Sequence, residues 1–261
     1  MSIFKGVALI TGAASGIGQT TAFSFAREGC RRLVLADRDT ARLEETQKAL
    51  SKISQDIQAI SVPTDISQEK DIEKLYNTTI NKFGRVDYVV NAAGILGGYK
   101  TSHETSAEEF DRINGVNYRG SWLSSRAAIR NMIKQEPLPT HDGRPGNRGS
   151  IVNISSALGA TCRPAAHVRT ILSNFEKKAH TNNSCQYAKH LIRVNSVLPG
   201  LISTPLTEPY ADLFTDQMNA EPEKRMGTSQ EIADAVLFLS SSKATYVQGI
   251  SMMVDGGYIF N

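Results

Sequence analysis

The chain is poor in the residues that would tie it to a metal, a membrane or a polyanion. Its 261 residues include only three cysteines, Cys30, Cys162 and Cys185. They are odd in number and lack metal-ligand spacing, so they read as free thiols in a reducing compartment, with the cytoplasm the expected location and no metal site. No apolar run is long enough to cross a bilayer. The opening "MSIFKGVALITG" enters a glycine loop too early for a signal peptide. A net charge of +3 is too small to argue for a nucleic-acid partner. There is no internal repeat, low-complexity tract or linker, so residues 1–261 are expected to form one domain. With 40% hydrophobic and 21% charged residues, the composition is that of a globular chain able to bury a large core.

What is present is alternation. "GVALIT" (6–11), "RRLVLAD" (31–37), "IQAISVPTD" (57–65) and "RVDYVVNAAG" (85–94) are short apolar runs without a period of two. Longer amphipathic stretches separate them. Ile17, Ala22, Phe23, Phe25 and Ala26 approximate one helical stripe; Leu43 and Leu50 mark the inner face of a helix over 40–53. Residues 67–84 form a third helix, with Ser67 suiting its start. A long helix is expected over 106–134, then a surface loop over 134–150 rich in proline and glycine. "SIVNIS", "LIRVNSVLPG" and "GISMMVDGG" complete seven strands. Non-alternating strands each followed by a helix are parallel and buried on both faces. The expected fold class is α/β, a doubly wound, mostly parallel seven-stranded Rossmann sheet with helices on both faces.

"TGAASGIG" (11–18) directly follows the first strand and opens the first helix. Gly12 permits the tight turn, Gly16 lets backbone approach a diphosphate, and Gly18 lets the helix pack on the strand. Ser15 and Ile17 stand at the helix opening, whose unpaired N–H groups favour an anion. Asp37 ends the second strand, where its carboxylate can accept hydrogen bonds from both ribose hydroxyls of an adenosine; it would repel a 2′-phosphate. Arg38 points the other way, since it could grip that phosphate. The cofactor expected is NAD or NADP, with NAD preferred.

At this point the sequence resembles the short-chain dehydrogenase/reductase superfamily over nearly its whole length. The resemblance implies that "TGAASGIG" is the cofactor loop and that Asp65 of "TDIS" holds the adenine ring. It further implies that Asn91, Ala92 and Gly94 of "NAAG" pack the central sheet and line the adenosine side. "VNYRG" places Asn117 at the catalytic-asparagine position and "IVNISS" places Ser156 at the catalytic-serine position. "PGLISTP" matches the loop that meets the nicotinamide, with Pro199 and Gly200 opening it and Ile202 and Thr204 as contacts. "REGC", "QYAKH" and "IRVN" look like filamentous-fungal members, which suggests secondary metabolism.

One pair is missing. The family uses a tyrosine as proton donor and, four residues on, a lysine that lowers its pKa from the usual ~10. None of the eight tyrosines here has a lysine four residues later. Family spacing, counted from Ser156 and back from "RVN" (193–195), lands on Arg169 with Ser173 at the lysine position. The stretch 163–183 is also polar where a helix should be apolar, with only Ile171, Leu172, Phe175 and Ala179 as an inner stripe. Three explanations stay open: a specialised substitution, decay after loss of the chemistry, or a reading-frame or splice error between intact flanks. Arg169 stays charged and cannot shuttle a proton. His167 titrates in a useful range. Lys177 and Lys178 read as a solvated face, and Arg130 as a surface residue.

Losing a general acid costs about 10²–10⁴-fold in rate, while hydride transfer also rests on alignment. The resemblance therefore implies an NAD(P)(H)-dependent oxidoreductase for a carbonyl, alcohol or iminium group of a small molecule. Two alternatives remain: a cofactor-binding cyclase of Diels–Alder type, and an inactive nucleotide-binding homologue. Homo-oligomers formed through this helix and the long one are a further implication, which the polar residues at 174–183 oppose.

Overall fold

The computed structural model describes residues 2–98, 100–159, 183–215, 218 and 222–260. Strand β1 (Val7–Thr11) is wholly buried. It pairs in parallel with β2 (Arg32–Asp37) on one side and with β4 (Tyr88–Asn91) on the other. Beyond β2 lies β3 (Gln58–Pro63). Beyond β4 come β5 (Gly149–Ile154), β6 (Ile192–Pro199) and β9 (Ser251–Val254). The seven-stranded order is β3-β2-β1-β4-β5-β6-β9, and all its pairs are parallel. The chain runs outward from β1 in one direction, then returns to build the other half from β4. That reversal leaves a crevice over the carboxyl ends of β1 and β4.

Side-chain alternation across each strand creates two cores. Ala8, Ile10, Leu33 and Leu35 join Phe25, Leu43 and Leu50 on one face, under α1 (Gly16–Arg27), α2 (Thr40–Ile53) and α6 (Ser229–Ser240). Val7, Leu9, Val34 and Val89 join Leu75, Leu123 and Met132 on the other, under α3 (Glu69–Phe83) and α5 (Ser121–Met132). Leu43 and Leu50 face inward as their spacing predicts, and Ala22, Phe25 and Ala26 are buried on α1. Phe23 and Ile17 are only partly buried, at the rim of that core.

Three local expectations differ from the structure. The long helix is interrupted: α4 (Ala107–Ile113) gives way to a π-helical segment, Asn114–Gly120, before α5 begins. Ser67 does not cap α3, whose N-cap is Gln68. Its hydroxyl donates instead to Asp65 Oδ1 at 2.7 Å, closing a tight turn. A second, two-stranded parallel sheet, β7 (Ile202–Ser203) with β8 (Gly227–Thr228), was not expected; strands of two residues leave no pattern to read.

Arg193 fastens the far end of the sheet. Its guanidinium is buried and donates to the carbonyls of Leu239, Ser240 and Ser241 at 2.6–3.2 Å. These include the last carbonyls of α6, where a cation is favoured. Burial lowers its pKa to about 10. Arg130 is exposed, as its helical setting suggests. No described helix is long and apolar enough to cross a membrane.

Candidate active site

The crevice over β1 and β4 is a cleft of about 350 Å³. Its floor is the glycine loop. Gly12 has φ +70°, and a β carbon there would stand 2.7 Å from Ala93 N; only glycine lets the loop reach the segment after β4. A β carbon on Gly18 would lie 2.2 Å from Gly12 O, so this glycine sets the close packing of α1 on the loop. Gly16 has φ +51°, beside Thr204 of the segment following β6. Ser15 caps α1 without a side-chain hydrogen bond to it, and the first turn holds no acidic residue. The helix N-terminus is thus open to an anion, with no carboxylate competing for it.

Asp37 forms the adenosine end. Its Oδ2 accepts from Ala14 N at 3.1 Å and its Oδ1 from Asp39 N at 3.0 Å. The carboxylate is held in place by backbone on both sides and ties β2 to the glycine loop. Arg38 and Arg42 stand at the same rim, with Arg42 Nε 3.7 Å from Asp39. Thr64, Asp65 and Ile66 make the neighbouring wall. Asp65 Oδ1 is occupied by Ser67 N at 2.9 Å and by the Ser67 hydroxyl, so this aspartate shapes the turn.

The opposite wall is the segment Ala92–Ile95. Thr11 holds its start: the threonine hydroxyl oxygen accepts from Ala92 N and Ala93 N, both at 3.2 Å. Asn117 holds its end. Its carboxamide accepts from Ile95 N at 2.9 Å and donates to Ile95 O at 3.1 Å. Val116, one residue earlier on the π-helical segment, lines the cleft itself.

Several expected site residues stand elsewhere. Asn91 is buried, and its carboxamide nitrogen donates to Asn153 Oδ1 at 2.7 Å and to Ser125 Oγ at 3.1 Å. It knits β4, β5 and α5 together and does not line the described cleft. Pro199 pairs with Val254 in the sheet. Gly200 is needed where its chain passes Asp255, since a β carbon would lie 2.8 Å from Asp255 Cα. Ile202 packs into the core around α6. Among the expected contacts of this loop, Thr204 reaches the cleft, followed by Pro205 and Leu206. Ser156 lies just past the carboxyl end of β5, buried, its Oγ accepting from Leu158 N at 3.2 Å.

His167, Arg169, Ser173, Lys177, Lys178, Cys162 and the stripe from Ile171 to Ala179 lie outside the described residues. Among the described tyrosines, Tyr76 and Tyr88 are pushed well above the ordinary phenol range by burial, so neither can supply a phenolate near neutrality. Cys30 is buried and its thiol is pushed up to about 11, while Cys185 is exposed. The described residues hold no cluster of metal ligands.

Ile95, Val116, Arg42 and Leu206 line the cleft without having been singled out in the sequence, nor was the hold of Thr11 on Ala92 and Ala93. Thr11 alone had a signal, its place directly before the glycine loop. The others reach the cleft through the fold.

A parallel sheet with its crevice at the reversal point, a glycine loop against a helix N-terminus and a carboxylate closing β2 define a doubly wound fold of the dinucleotide-binding type. The chain belongs to the short-chain dehydrogenase/reductase superfamily: residues 12–259 match the family model described as enoyl-(acyl carrier protein) reductase. It is 35% identical to 2-(R)-hydroxypropyl-CoM dehydrogenase of Xanthobacter autotrophicus, over 97% of this chain and 98% of that protein. It is 34% identical to the short-chain dehydrogenase srdC of Neurospora crassa, over 97% and 96%. The crystal structure of a 3-ketoacyl-(acyl-carrier-protein) reductase from Brucella melitensis, complexed with NADH, superposes with a TM-score of 0.86 at 32% identity, over 99% of this chain and all of that one. The protein is an NAD(P)-dependent oxidoreductase acting on small molecules.

Proposed function

We propose that the cleft binds NAD in preference to NADP and that the enzyme oxidises or reduces a carbonyl, alcohol or iminium group. The observation that carries this is the Asp37 carboxylate. With both oxygens held by backbone N–H groups, it cannot easily turn away from a 2′-phosphate, and it presents fixed acceptors to ribose hydroxyls. The open N-terminus of α1 would take the diphosphate, with Gly12, Ser15, Gly16, Ile17 and Gly18 beneath it. Asp65 and Ile66 would flank the adenine, Ala92 and Gly94 would line the adenosine side, and Thr204 would border the path to the nicotinamide.

Bound there, the dinucleotide supplies or accepts the hydride. Ser156 would orient the substrate oxygen. Asn117 would act through its clamp on Ile95, which fixes the wall along which the substrate is aligned. Arg169 and Ser173 occupy the sequence positions of the missing proton-donor pair, so the active site is atypical. An iminium substrate suits it best, because such a cation accepts hydride without a proton donor. The fungal phrasing of the sequence supports a place in secondary metabolism. The chain is read as one dinucleotide-binding domain, because the sheet takes strands from Val7 through to Val254. Self-association and a cytoplasmic location belong to the same reading.

The test is calorimetric titration with NADH and NADPH, then loss of nicotinamide absorbance on carbonyl and iminium panels. NADH is expected to bind more tightly, with turnover on the iminium panel exceeding that on the carbonyl panel. Equal or tighter NADPH binding would overturn the cofactor reading. Binding without turnover on either panel would favour an inactive nucleotide-binding homologue. Combining Arg169→Tyr with Ser173→Lys is expected to raise carbonyl reduction; no gain in a folded variant would argue against those positions.

A further inference from the structure

Of the residues expected to meet the nicotinamide, Ile202 packs into the core and Thr204 is buried at the edge of the cleft. Thr204 is held there by Thr207. Thr207 is the N-cap of a 3₁₀ helix, Glu208–Phe214. A threonine hydroxyl at a helix N-cap ordinarily accepts from an N–H of the first turn. Thr207 makes no such bond. Its hydroxyl turns back along the chain instead. Thr207 Oγ1 lies 2.6 Å from Ile202 O, 3.0 Å from Thr204 N, and 3.1 Å from both Thr204 Oγ1 and Thr204 O.

A hydroxyl has one proton to give and two lone pairs with which to accept. Thr204 O already accepts from Thr207 N and Glu208 N, both at 2.9 Å. The proton of Thr207 therefore goes to Ile202 O, its shortest contact. One lone pair takes the N–H of Thr204. The other is left for Thr204 Oγ1, so between the two hydroxyls Thr204 is the donor. With its only proton spent on Thr207, the Thr204 hydroxyl can act toward a ligand solely as an acceptor.

We propose that Thr207 is a positioning residue that fixes Thr204 as an acceptor, so that the cleft selects a dinucleotide whose ring carries an amide over one whose ring carries a carboxylate. The proposal rests on the reading that the cleft takes a dinucleotide with its nicotinamide beside Thr204. A carboxamide brings an N–H₂ donor to that oxygen. An ionised carboxylate is acceptor only, and sets lone pair against lone pair. Without Thr207 the Thr204 hydroxyl turns freely. It can then donate to the carboxylate, and the discrimination is lost.

The test is calorimetric titration of the full-length protein with NAD, with its deamidated analogue nicotinic acid adenine dinucleotide, and with ADP-ribose, which has no ring. The wild type is expected to bind NAD about tenfold or more tightly than the acid analogue. Thr207→Val keeps the shape and removes the hydroxyl; its ratio should fall below about threefold, while Thr207→Ser keeps the wild-type ratio. ADP-ribose should bind the wild type and Thr207→Val within about twofold. A residue that merely braced the loop would lower both dinucleotides together, so an unchanged ratio in Thr207→Val overturns the proposal. A wild type that binds NAD and the acid analogue equally overturns it without any variant. A ratio unmoved in Thr204→Val would show that the nicotinamide lies away from Thr204. Failure to bind either NAD or ADP-ribose would remove the dinucleotide reading itself.

Discussion

Gly16 faces Thr204 across the cleft floor, with only 3.4 Å between the place of a β carbon on the glycine and the threonine side chain. The glycine also has φ +51°. Any side chain there meets both a strained backbone and the path of a diphosphate. Left-handed backbone costs about 1–2 kcal/mol for a non-glycine residue, before any clash. Gly16→Val is expected to weaken NADH binding by about tenfold or more. Calorimetry checks this, and unchanged affinity would place the diphosphate elsewhere.

Asp37 governs which dinucleotide enters. Asp37→Ser keeps an acceptor for one of the two backbone donors but removes the charge, leaving Arg38 and Arg42 to attract a 2′-phosphate. Relieving one like-charge contact near a wet surface is worth about 1 kcal/mol or more. The ratio of NADPH to NADH affinity should therefore rise about tenfold, read from paired titrations. An unchanged ratio would mean that the carboxylate does not face the ribose.

Asn117 is predicted to matter for stability as well as for rate. Asn117→Asp retains the acceptor for Ile95 N but sets a carboxylate oxygen against Ile95 O in place of a donor. Leaving such groups unpaired costs about 1–3 kcal/mol. The melting temperature should fall accordingly, and the Ile95 amide should exchange faster. A variant that melts with the wild type would show the clamp to be dispensable.

Leu191 is the reverse case, a residue that ought to be glycine. It turns the chain into β6 with φ +58° and is 41% exposed, so little burial offsets the strain. Leu191→Gly should stabilise the protein by about 1 kcal/mol in chemical denaturation. A loss of stability would mean that the leucine side chain packs more strongly than its exposure implies.

The contrast between these positions shows what the sequence could and could not disclose. The glycine loop, Asp37 and the inner faces of α1 and α2 are set by local pattern: a turn, a strand end, a helical period. Those were legible. Asn91, Gly200 and Ile202 were assigned to the cofactor because of the motifs around them. What those motifs did not disclose is their distant partners: Asn153 across the sheet, Asp255 after β9, and the side chains around α6. The π segment escaped notice because seven residues cannot distinguish its apolar spacing from that of an α-helix. Thr11 was marked by its place before the glycine loop, but its partners, Ala92 and Ala93, lie far along the chain.

All eight residues of β6 are buried, and its outer neighbour in the sheet is β9. On the ribosome β6 emerges well before β9 does. Until the last strand arrives, the unpaired backbone edge of a strand meant to be wholly buried is open to any extended peptide nearby. The nascent chain therefore depends on prompt completion or on a chaperone's protection, and slowed translation after residue 199 should appear first as lost soluble yield.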